Sequence, residues 1–488
     1  TGKSNAVYHL LDEITKDGRT SFLVVEPAKG EYKNVFGSRA DVKVFGTNPR
    51  ETPLLRINPF AFPQNIHILE HIDRLVEIFN ACWPMYAAMP AVLKDAIERS
   101  YQKVGWDLRN SESEKGVFPT FFDLLDILPG VIEESHYSKD TQSDYVGALC
   151  TRVKSLTNGI YGSVFCAEDA LSDAELFDCN VVVDLSRVGS METKSLLMGI
   201  LVMKLQEYRM CGSEMNSRLR HVTVLEEAHN LLRKTSAEQP QEGANLQGKS
   251  VEMLANAIAE MRTYGEGFII ADQAPGLLDM SVIRNTNTKI ILRLPDEEDR
   301  KLVGKSAALK EAQIDELSKL PLGVAAVYQN EWPEAVLCKI EAYPMPENAV
   351  YHKPSKMPHE INAEFVFGQL AAGKELEPLS ISEMEQLKLW LKRHEMMLKP
   401  EDGRYLEQVF AGGELDVAKT RKAVFDFFGG ISTVVDYCAA AEKSFTPRKE
   451  FLEQLQGQYG LKAAAADWVL NSVISMGMSL NPDAKAVD

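Results

Sequence analysis

Thr1-Gly2-Lys3-Ser4 stands at the start of the sequence and leads directly into residues 5–16, whose apolar side chains recur at helical spacing. This is the second half of the phosphate-binding pattern GxxxxGK followed by Ser or Thr, in which a glycine-rich turn opens a helix. Backbone N–H groups and the Lys3 ammonium would bind phosphate, and the Ser4 hydroxyl would hold Mg²⁺. We therefore predict that Thr1, Gly2, Lys3, Ser4 and Asn5 bind a nucleotide, and that a segment with the first half of the pattern precedes Thr1.

Two further Gly-Lys-Ser triplets occur, at residues 248–250 and 304–306. Neither follows a strand and a glycine-rich loop, so we interpret both as chance matches. A lone triplet is a weak signal, and the first one gains weight only from a second element elsewhere in the chain.

That second element is the apolar run Val-Thr-Val-Leu at residues 222–225, which ends in Glu226 and Glu227. A phosphoryl-transfer site needs one carboxylate to hold hydrated Mg²⁺ and another to polarise the attacking water. We therefore assign Glu226 to the metal and Glu227 to the water. The alternative is a pair of solvated glutamates at the start of a helix, where acids favour the helix dipole.

The alternation of helix and strand continues along the chain, which is typical of a parallel sheet covered by helices. Continuous apolar runs suit strands that are buried on both faces. Strands are predicted at residues 21–26, 41–45, 180–184, 221–225, 267–270 and 289–294, and an edge hairpin at 323–328 and 335–340. The predicted fold class is α/β.

The length of 488 residues exceeds what one hydrophobic core usually organises, so several domains are expected. Helical periodicity with no strand pattern predicts an all-helical insertion in the sheet-forming core. The predicted parts are residues 1–64 (first part of the core), 65–165 (helical insertion), 166–345 (second part of the core), 346–376 (linker) and 377–488 (helical C-terminal domain).

Composition excludes some classes of protein. The chain is 45% hydrophobic and 25% charged, which is typical of a folded globular protein rather than a disordered one. A net charge of −17 argues against a surface that binds nucleic acid all over, although a local basic pore remains compatible with it. Seven widely spaced cysteines without a CxxC pair predict mostly buried thiols in a reducing cytoplasm. No apolar run is long enough to predict a membrane span.

Four stretches of the chain resemble HerA-like ATPases, which are relatives of FtsK translocases and type IV secretion ATPases. They are Glu-Glu-Ala-His-Asn-Leu-Leu at 226–232, Val-Glu-Pro-Ala-Lys-Gly-Glu-Tyr at 25–32, and Asp-Gln-Ala-Pro-Gly at 272–276 with Ile-Arg-Asn-Thr-Asn-Thr-Lys at 283–289. The resemblance covers about residues 1–345. It implies a RecA-like core, ATP and Mg²⁺ as ligands, and a homo-hexameric ring that usually threads DNA. The family more often has Asp where Glu226 stands, which leaves the metal geometry open.

The resemblance also implies a polar residue that senses the γ-phosphate, at Gln273, and an arginine supplied by the neighbouring subunit. Arg262 is the first candidate, with Arg284 and Arg293 as alternatives, and each also fits an ordinary surface role. Asp184 is a candidate support of the Mg²⁺ site or a helix cap. For His229, a packing role is favoured over catalysis.

The leading hypothesis is an ATP-hydrolysing hexameric DNA translocase or DNA-processing motor, with an antiphage defence complex as one setting. One alternative is a type IV secretion-like ATPase that moves protein or nucleoprotein. Another is an ATP-gated scaffold that assembles a nuclease or an NAD-consuming effector. No membrane contact is expected from this segment.

Overall fold

The computed structural model describes residues 2–353 except 87, 114–115, 136, 168–169, 213, 236–245 and 348, together with isolated positions between 401 and 423. The chain divides into two compact units, one of residues 1–113 and 118–354 and the other of residues 114–117 and 355–488. The second unit contributes few described residues; in it the Tyr405 hydroxyl and the backbone of Asp416 hydrogen bond at 2.9 Å. Most of the predicted C-terminal domain and most of the predicted linker therefore lie outside the described residues.

Ten strands are present in the described part of the chain. They are β1 (Ser21–Glu26), β2 (Val42–Gly46), β3 (Trp106–Asp107), β4 (Glu112–Ser113), β5 (Asn180–Asp184), β6 (His221–Glu226), β7 (Glu266–Ala271), β8 (Thr288–Ile291), β9 (Val324–Gln329) and β10 (Val336–Lys339). Five of them form one sheet in the order β2-β5-β1-β6-β7, and all the neighbours in it are parallel. The predicted α/β class is confirmed.

Strand β1 shows why the apolar runs form the centre of this sheet. Phe22 and Val24 point to one face and Leu23 and Val25 to the other, and all four are at most 1% exposed. A strand alternates its side chains between faces, so a run with no polar member must be covered on both sides. Parallel pairing also aligns the carboxyl ends of the strands, and Glu26 lies opposite Asp184 in the register.

Within the described residues, fourteen α-helices cover the sheet or follow it. They are α1 (Lys3–Thr15), α2 (Tyr32–Phe36), α3 (Ile68–Cys82), α4 (Met89–Lys103), α5 (Phe121–Glu134), α6 (Lys139–Tyr145), α7 (Thr151–Thr157), α8 (Gly159–Phe165), α9 (Asp173–Phe177), α10 (Met191–Gly212), α11 (Leu246–Glu260), α12 (Met280–Asn285), α13 (Glu297–Ser306) and α14 (Glu311–Glu316). Helices α1 and α2 pack on the face of Phe22 and Val24. Helices α3, α10 and α11 share a core with the opposite face. None of the described helices combines the length and apolar character that a bilayer crossing demands.

The predicted helical insertion contains α3 to α8, but it is not all-helical. Strands β3 and β4 form a short antiparallel ladder in it, with Trp106 opposite Ser113. Its side chains also join the core cluster that reaches β1 and β5, so its helices share one hydrophobic core with the sheet. On α3, Leu69 is 37% exposed, whereas its neighbour Ile68 is fully buried.

The last strands depart from the predicted arrangement. Strand β8 pairs with β9 alone among the described strands, and β9 pairs with β10, which gives a separate antiparallel sheet of three strands. A cleft of about 510 Å³ separates β7 from β8. The predicted hairpin is therefore present, but it extends β8 rather than the parallel sheet.

The described cysteines are all free thiols, and only Cys82 and Cys166 are buried. The expectation that most are buried is wrong for this part of the chain, since four others are half-buried. Cys438 lies outside the described residues. Burial raises the pKa of Cys82 to about 12, which keeps that thiol protonated.

Candidate active site

Lys3 lies at the amino end of α1, directly after Gly2. Gly2 has φ of 94°, a left-handed conformation that favours glycine. The turn places the Lys3 ammonium beside the carboxyl end of β6, where Nζ lies 3.0 Å from Glu226 Oε2 and 2.8 Å from Glu227 Oε1. The structure thus brings together two elements that lie 224 positions apart in the sequence.

Glu227 follows the last residue of β6 in a left-handed conformation, with φ of 44° and ψ of 52°. A non-glycine residue in this region is strained, and such strain concentrates at functional sites. Its Oε1 accepts a hydrogen bond of 2.6 Å from Gln273 Nε2, just beyond the end of β7. The predicted water-orienting acid and the predicted γ-phosphate sensor are therefore in direct contact.

The charges of this group reinforce one another. Burial alone would raise the pKa of Glu227, but hydrogen bonds from Lys3 and Gln273 hold the pKa below its ordinary value. Burial alone would lower the pKa of Lys3, but Glu226 and Glu227 outweigh it and raise the pKa. Lys3 is thus held as a cation and Glu227 as an anion.

Glu226 is the more buried of the two acids, at 5% exposure. Its Oε1 accepts a hydrogen bond of 2.6 Å from the Tyr32 hydroxyl. The backbone N–H of Tyr32 in turn donates to Glu26 Oε2 at 3.1 Å, and the N–H of Glu31 donates to Oε1 at 2.8 Å. The carboxyl ends of β1 and β6 are therefore connected through Tyr32, a residue to which the sequence pattern assigned no role.

Burial raises the pKa of Glu26 to about 8, against the effect of the two N–H donors and with help from the nearby charges of Asp184 and Glu226. Glu26 therefore favours its protonated form near neutral pH. The two acids that contact Lys3 have different hydrogen-bond donors: the Tyr32 hydroxyl donates to Glu226, and the Gln273 side-chain amide donates to Glu227.

His229 and Asp272 form a second contact between the end of β6 and the end of β7. Asp272 Oδ2 accepts from the backbone N–H of His229 and lies 2.9 Å from its Nδ1, and Oδ1 accepts from the N–H of Ala274. His229 Nδ1 also lies 3.7 Å from Glu227 Oε2. The packing role favoured for His229 from the sequence therefore understates its position, which is next to the predicted catalytic acid.

The other predicted residues are distributed as follows. Thr1 lies outside the described residues. Ser4 and Asn5 line the same cavity as Lys3. Asp184 Oδ2 accepts from Lys33 Nζ at 2.6 Å, so its carboxylate is engaged in an ion pair.

Arg262 lies in the turn before β7, at the amino end of that strand, and it is exposed. Lys3, Glu226 and Glu227 lie at the carboxyl end of the sheet, so Arg262 lies away from the site of its own chain. An arginine that acts in a neighbouring subunit would have such a position. Arg284 is exposed on α12, and Arg293 lies in a pocket next to Lys3 and Gln273. The two further Gly-Lys-Ser triplets lie inside α11 and α13, which excludes a phosphate-binding turn at either position.

The cavity at the amino end of α1 has a volume of about 530 Å³, which falls in the roughly 300–1,000 Å³ range of small-molecule sites. It is lined by Gly2, Lys3, Ser4, Asn5, Tyr8, Lys29, Glu31, Asn34, Val35, Gln273, Met345 and Ala349. A helix start, a lysine and a serine hydroxyl facing one cavity suit a phosphate group. The carboxylates of Glu226 and Glu227 already hold one cation, the Lys3 ammonium, between them, so this donor set also fits a hard cation such as Mg²⁺.

The parallel sheet, the helix-start cavity and the paired acids at the end of β6 are the features of a RecA-like P-loop fold. No protein-family model matches the chain. It is 23% identical over 371 residues to the probable helicase MJECL08 of Methanocaldococcus jannaschii, across 70% of this chain and 64% of that protein. It is 25% identical over 355 residues to the DNA double-strand break repair helicase HerA of Sulfolobus acidocaldarius, across 70% of this chain and 63% of that one.

Among solved structures, VirB4 of Thermoanaerobacter pseudethanolicus shares the fold with a TM-score of 0.53 and 20% identity, over 70% of this chain and 87% of VirB4. The plasmid coupling protein TrwB, solved with a non-hydrolysable GTP analogue, gives 0.50 and 14% identity over 72% and 86% of the two chains. In sequence and in fold the chain is thus similar to P-loop ATPases of the HerA/FtsK type. The matches span less than two thirds of the two sequence relatives.

Proposed function

We propose that the protein binds ATP with Mg²⁺ at the amino end of α1 and hydrolyses it. The observation that carries the proposal is the position of Lys3, which lies 3.0 Å from Glu226 and 2.8 Å from Glu227. A cation for phosphate, an acid for metal and an acid for water then share one site, and phosphoryl transfer needs all three.

Each residue has a separate task in this proposal. The N–H groups at the start of α1 and the Lys3 ammonium hold the phosphates. Ser4 and Glu226 hold Mg²⁺, which would neutralise the charge that develops on the phosphate oxygens. Glu227 orients and polarises the attacking water, and Gln273, which bonds to the same carboxylate oxygen as Lys3, responds to the γ-phosphate.

The first test compares two variants of the full-length protein. Lys3→Ala removes a phosphate contact and should weaken ATP binding itself, whereas Glu227→Gln removes the water-polarising carboxylate and should abolish turnover without weakening ATP binding. Calorimetry of ATP binding and a phosphate-release assay measure the two effects. Hydrolysis at the wild-type rate in both variants would exclude this site as the catalytic one.

We further propose that subunits form a homo-hexameric ring in which Arg262 completes the site of its neighbour. Support comes from its position, exposed and at the end of the sheet opposite its own site. A heterologous interface in a closed ring presents one end of each subunit to the other end of the next. A guanidinium placed there can stabilise charge on the γ-phosphoryl group. Sedimentation with and without ATP tests the ring itself, which a monomer under both conditions would exclude.

The proposed substrate of the motor is DNA. Two relatives are named as helicases, one of them a DNA double-strand break repair helicase. A net charge of −17 confines the DNA contact to a local basic surface such as a pore. ATPase activity should then rise with DNA of any sequence and fall as salt is added, because the contact is to phosphates.

Indifference of the ATPase to DNA at low salt would remove the translocase proposal. Slow, DNA-independent turnover together with a stable complex with a nuclease or an NAD-consuming effector would instead support the ATP-gated scaffold, and with it a role in antiphage defence. The two outcomes separate the motor from the scaffold while both retain the ATP site.

A further inference from the structure

The chain that follows β10 contributes Met345 and Ala349 to the lining of the cavity at the amino end of α1. We call residues 341–347 and 349–353 the strap. At the start of the strap, Asn5 makes two hydrogen bonds to the strap backbone, which we call the first anchor. Its Nδ2 donates to the Glu341 carbonyl at 2.8 Å, and its Oδ1 accepts from the Tyr343 N–H at 2.7 Å. An amide side chain that both donates and accepts fixes the direction of the backbone it meets. Because Asn5 directly follows Ser4, this grip comes from the same helical turn as the phosphate contacts.

Aromatic packing strengthens the first anchor. The Tyr343 ring lies 5.7 Å from the ring of Tyr8 and 5.2 Å from that of His9, both in edge-to-face geometry. Tyr8 belongs to the buried cluster between α1, α2 and the sheet. The strap is thus packed onto the hydrophobic core at this end rather than lying free on the surface.

The second anchor is on α2 and the loop after β2. Asn34 Oδ1 accepts from the Tyr351 N–H at 2.9 Å, and Lys353 Nζ donates to the Pro49 carbonyl. The Tyr351 ring covers Gly37 so closely that a Cβ there would lie 2.6 Å from Cδ2. The two anchors therefore hold the strap at α1 and at α2, through Asn5 and Asn34, which both line the cavity.

Between the anchors, Met345 and Ala349 line the cavity that Lys3 and Ser4 also line. Met345 is 54% exposed, an apolar side chain presented at the opening of a polar site. The phosphate end is accounted for by Lys3 and the start of α1. The remainder has apolar surface from Tyr8, Val35 and the strap residues, and polar groups from Lys29, Glu31 and Asn34. A nucleoside offers the matching chemistry, since a base has apolar faces and polar edges.

We propose that the strap is the nucleoside wall of the site, and that Met345 and the anchors at Asn5 and Tyr343 determine how strongly the protein prefers a nucleoside triphosphate over a bare triphosphate. The inference rests on the proposed ATP site and adds to it the part that recognises the nucleoside. Asn5 then connects phosphate binding to nucleoside binding, because its side chain joins the turn at the start of α1 to the strap.

The test measures the affinities of ATP and of inorganic tripolyphosphate, both with Mg²⁺, by calorimetry on the full-length protein. Met345→Ala should weaken ATP about fivefold, since a partly covered methionine contributes a fraction of its full transfer free energy, and should leave tripolyphosphate unchanged. Tyr343→Ala should have the same selective effect, because it loosens the first anchor. Met215→Ala, at a 70% exposed methionine far along the chain, is the matched control and should change neither affinity.

Equal ATP affinity in wild type and in both strap variants would overturn the inference. So would an equal loss of ATP and tripolyphosphate, since the strap would then act on the whole site and not on the nucleoside. Lys3→Ala separates this inference from the proposed function: it should weaken both ligands. If Lys3→Ala weakens neither, the ATP site itself is misplaced, whatever the strap variants show.

Discussion

In the structure the Lys3 ammonium forms an ion pair with the Glu227 carboxylate. The proposed ATP binding instead requires Lys3 to contact a phosphate group, so the carboxylate and the phosphate compete for Lys3. Substitution of Glu227 by Gln should therefore have two opposite effects. The side chains of the pair are only 16% and 14% exposed, so we take the upper end of the range measured for accessible ion pairs, about 1 kcal/mol. Release of Lys3 from that pair should tighten ATP binding about fivefold. Loss of the water-polarising carboxylate should slow hydrolysis by roughly 10²–10⁴-fold.

The glutamine keeps a carbonyl that can accept from Gln273, so the local geometry is retained. Calorimetry gives the affinity and single-turnover phosphate release gives the rate. Glu298→Gln, at a side chain that is 89% exposed, controls for the change in net charge. Glu226→Gln should differ in kind, since loss of a metal ligand makes ATP binding less dependent on Mg²⁺. Weaker ATP binding by Glu227→Gln would refute the competition between acid and phosphate for Lys3, and normal hydrolysis would refute the catalytic role.

Three further predictions follow from the surrounding contacts. Burial raises the pKa of Glu26 from 4.5 to about 8, so the protonated side chain contributes to stability below about pH 4.5, and this contribution is lost as the pH rises to 8. Glu26→Gln should therefore flatten the fall in melting temperature over that interval. An unchanged dependence of melting temperature on pH would contradict the raised pKa of Glu26. Asp272→Asn removes the charge beside His229, which lies next to Glu227. If Asp272 positions Glu227 through His229, kcat should fall about tenfold with KM for ATP little changed. A change in KM alone would contradict that positioning role. Mixing inactive Arg262→Ala chains with inactive Glu227→Gln chains should restore part of the hydrolysis if the arginine acts in the neighbouring subunit; no recovery, or full activity of Arg262→Ala alone, would exclude it.

Much of the sheet could be predicted because its signals are local. Residues 21–26 and 180–184 are apolar runs whose observed strands have the predicted bounds. The acids at the end of β6 follow such a run directly, and parallel pairing brings all the carboxyl ends to one edge. That rule, with the helix start at Lys3, was enough to place Lys3 and Glu227 together.

Other features left no local signal. The hydrogen bond of Tyr32 to Glu226 joins residues 194 positions apart, and nothing in the spacing of Tyr32 marks it. Asp272 follows directly on β7, and its position beside Gln273 at a strand end was the available clue. Strand β8 has the same apolar character as the parallel strands, but it pairs with β9. Which strand becomes its partner depends on which strand edge lies next to it in the folded chain, and the local sequence does not encode this.

By itself the sequence determined the α/β class, the helix start at Lys3 and the paired acids, because each depends on neighbouring residues and on the period of a helix or strand. Only the tertiary structure decided that the insertion shares the core of the sheet, that His229 lies beside Glu227, and that the strap lines the cavity. The grip of Asn5 on Tyr343 spans 338 positions, and contacts of that range are selected by the packing of the whole unit, so no short pattern in the sequence records them.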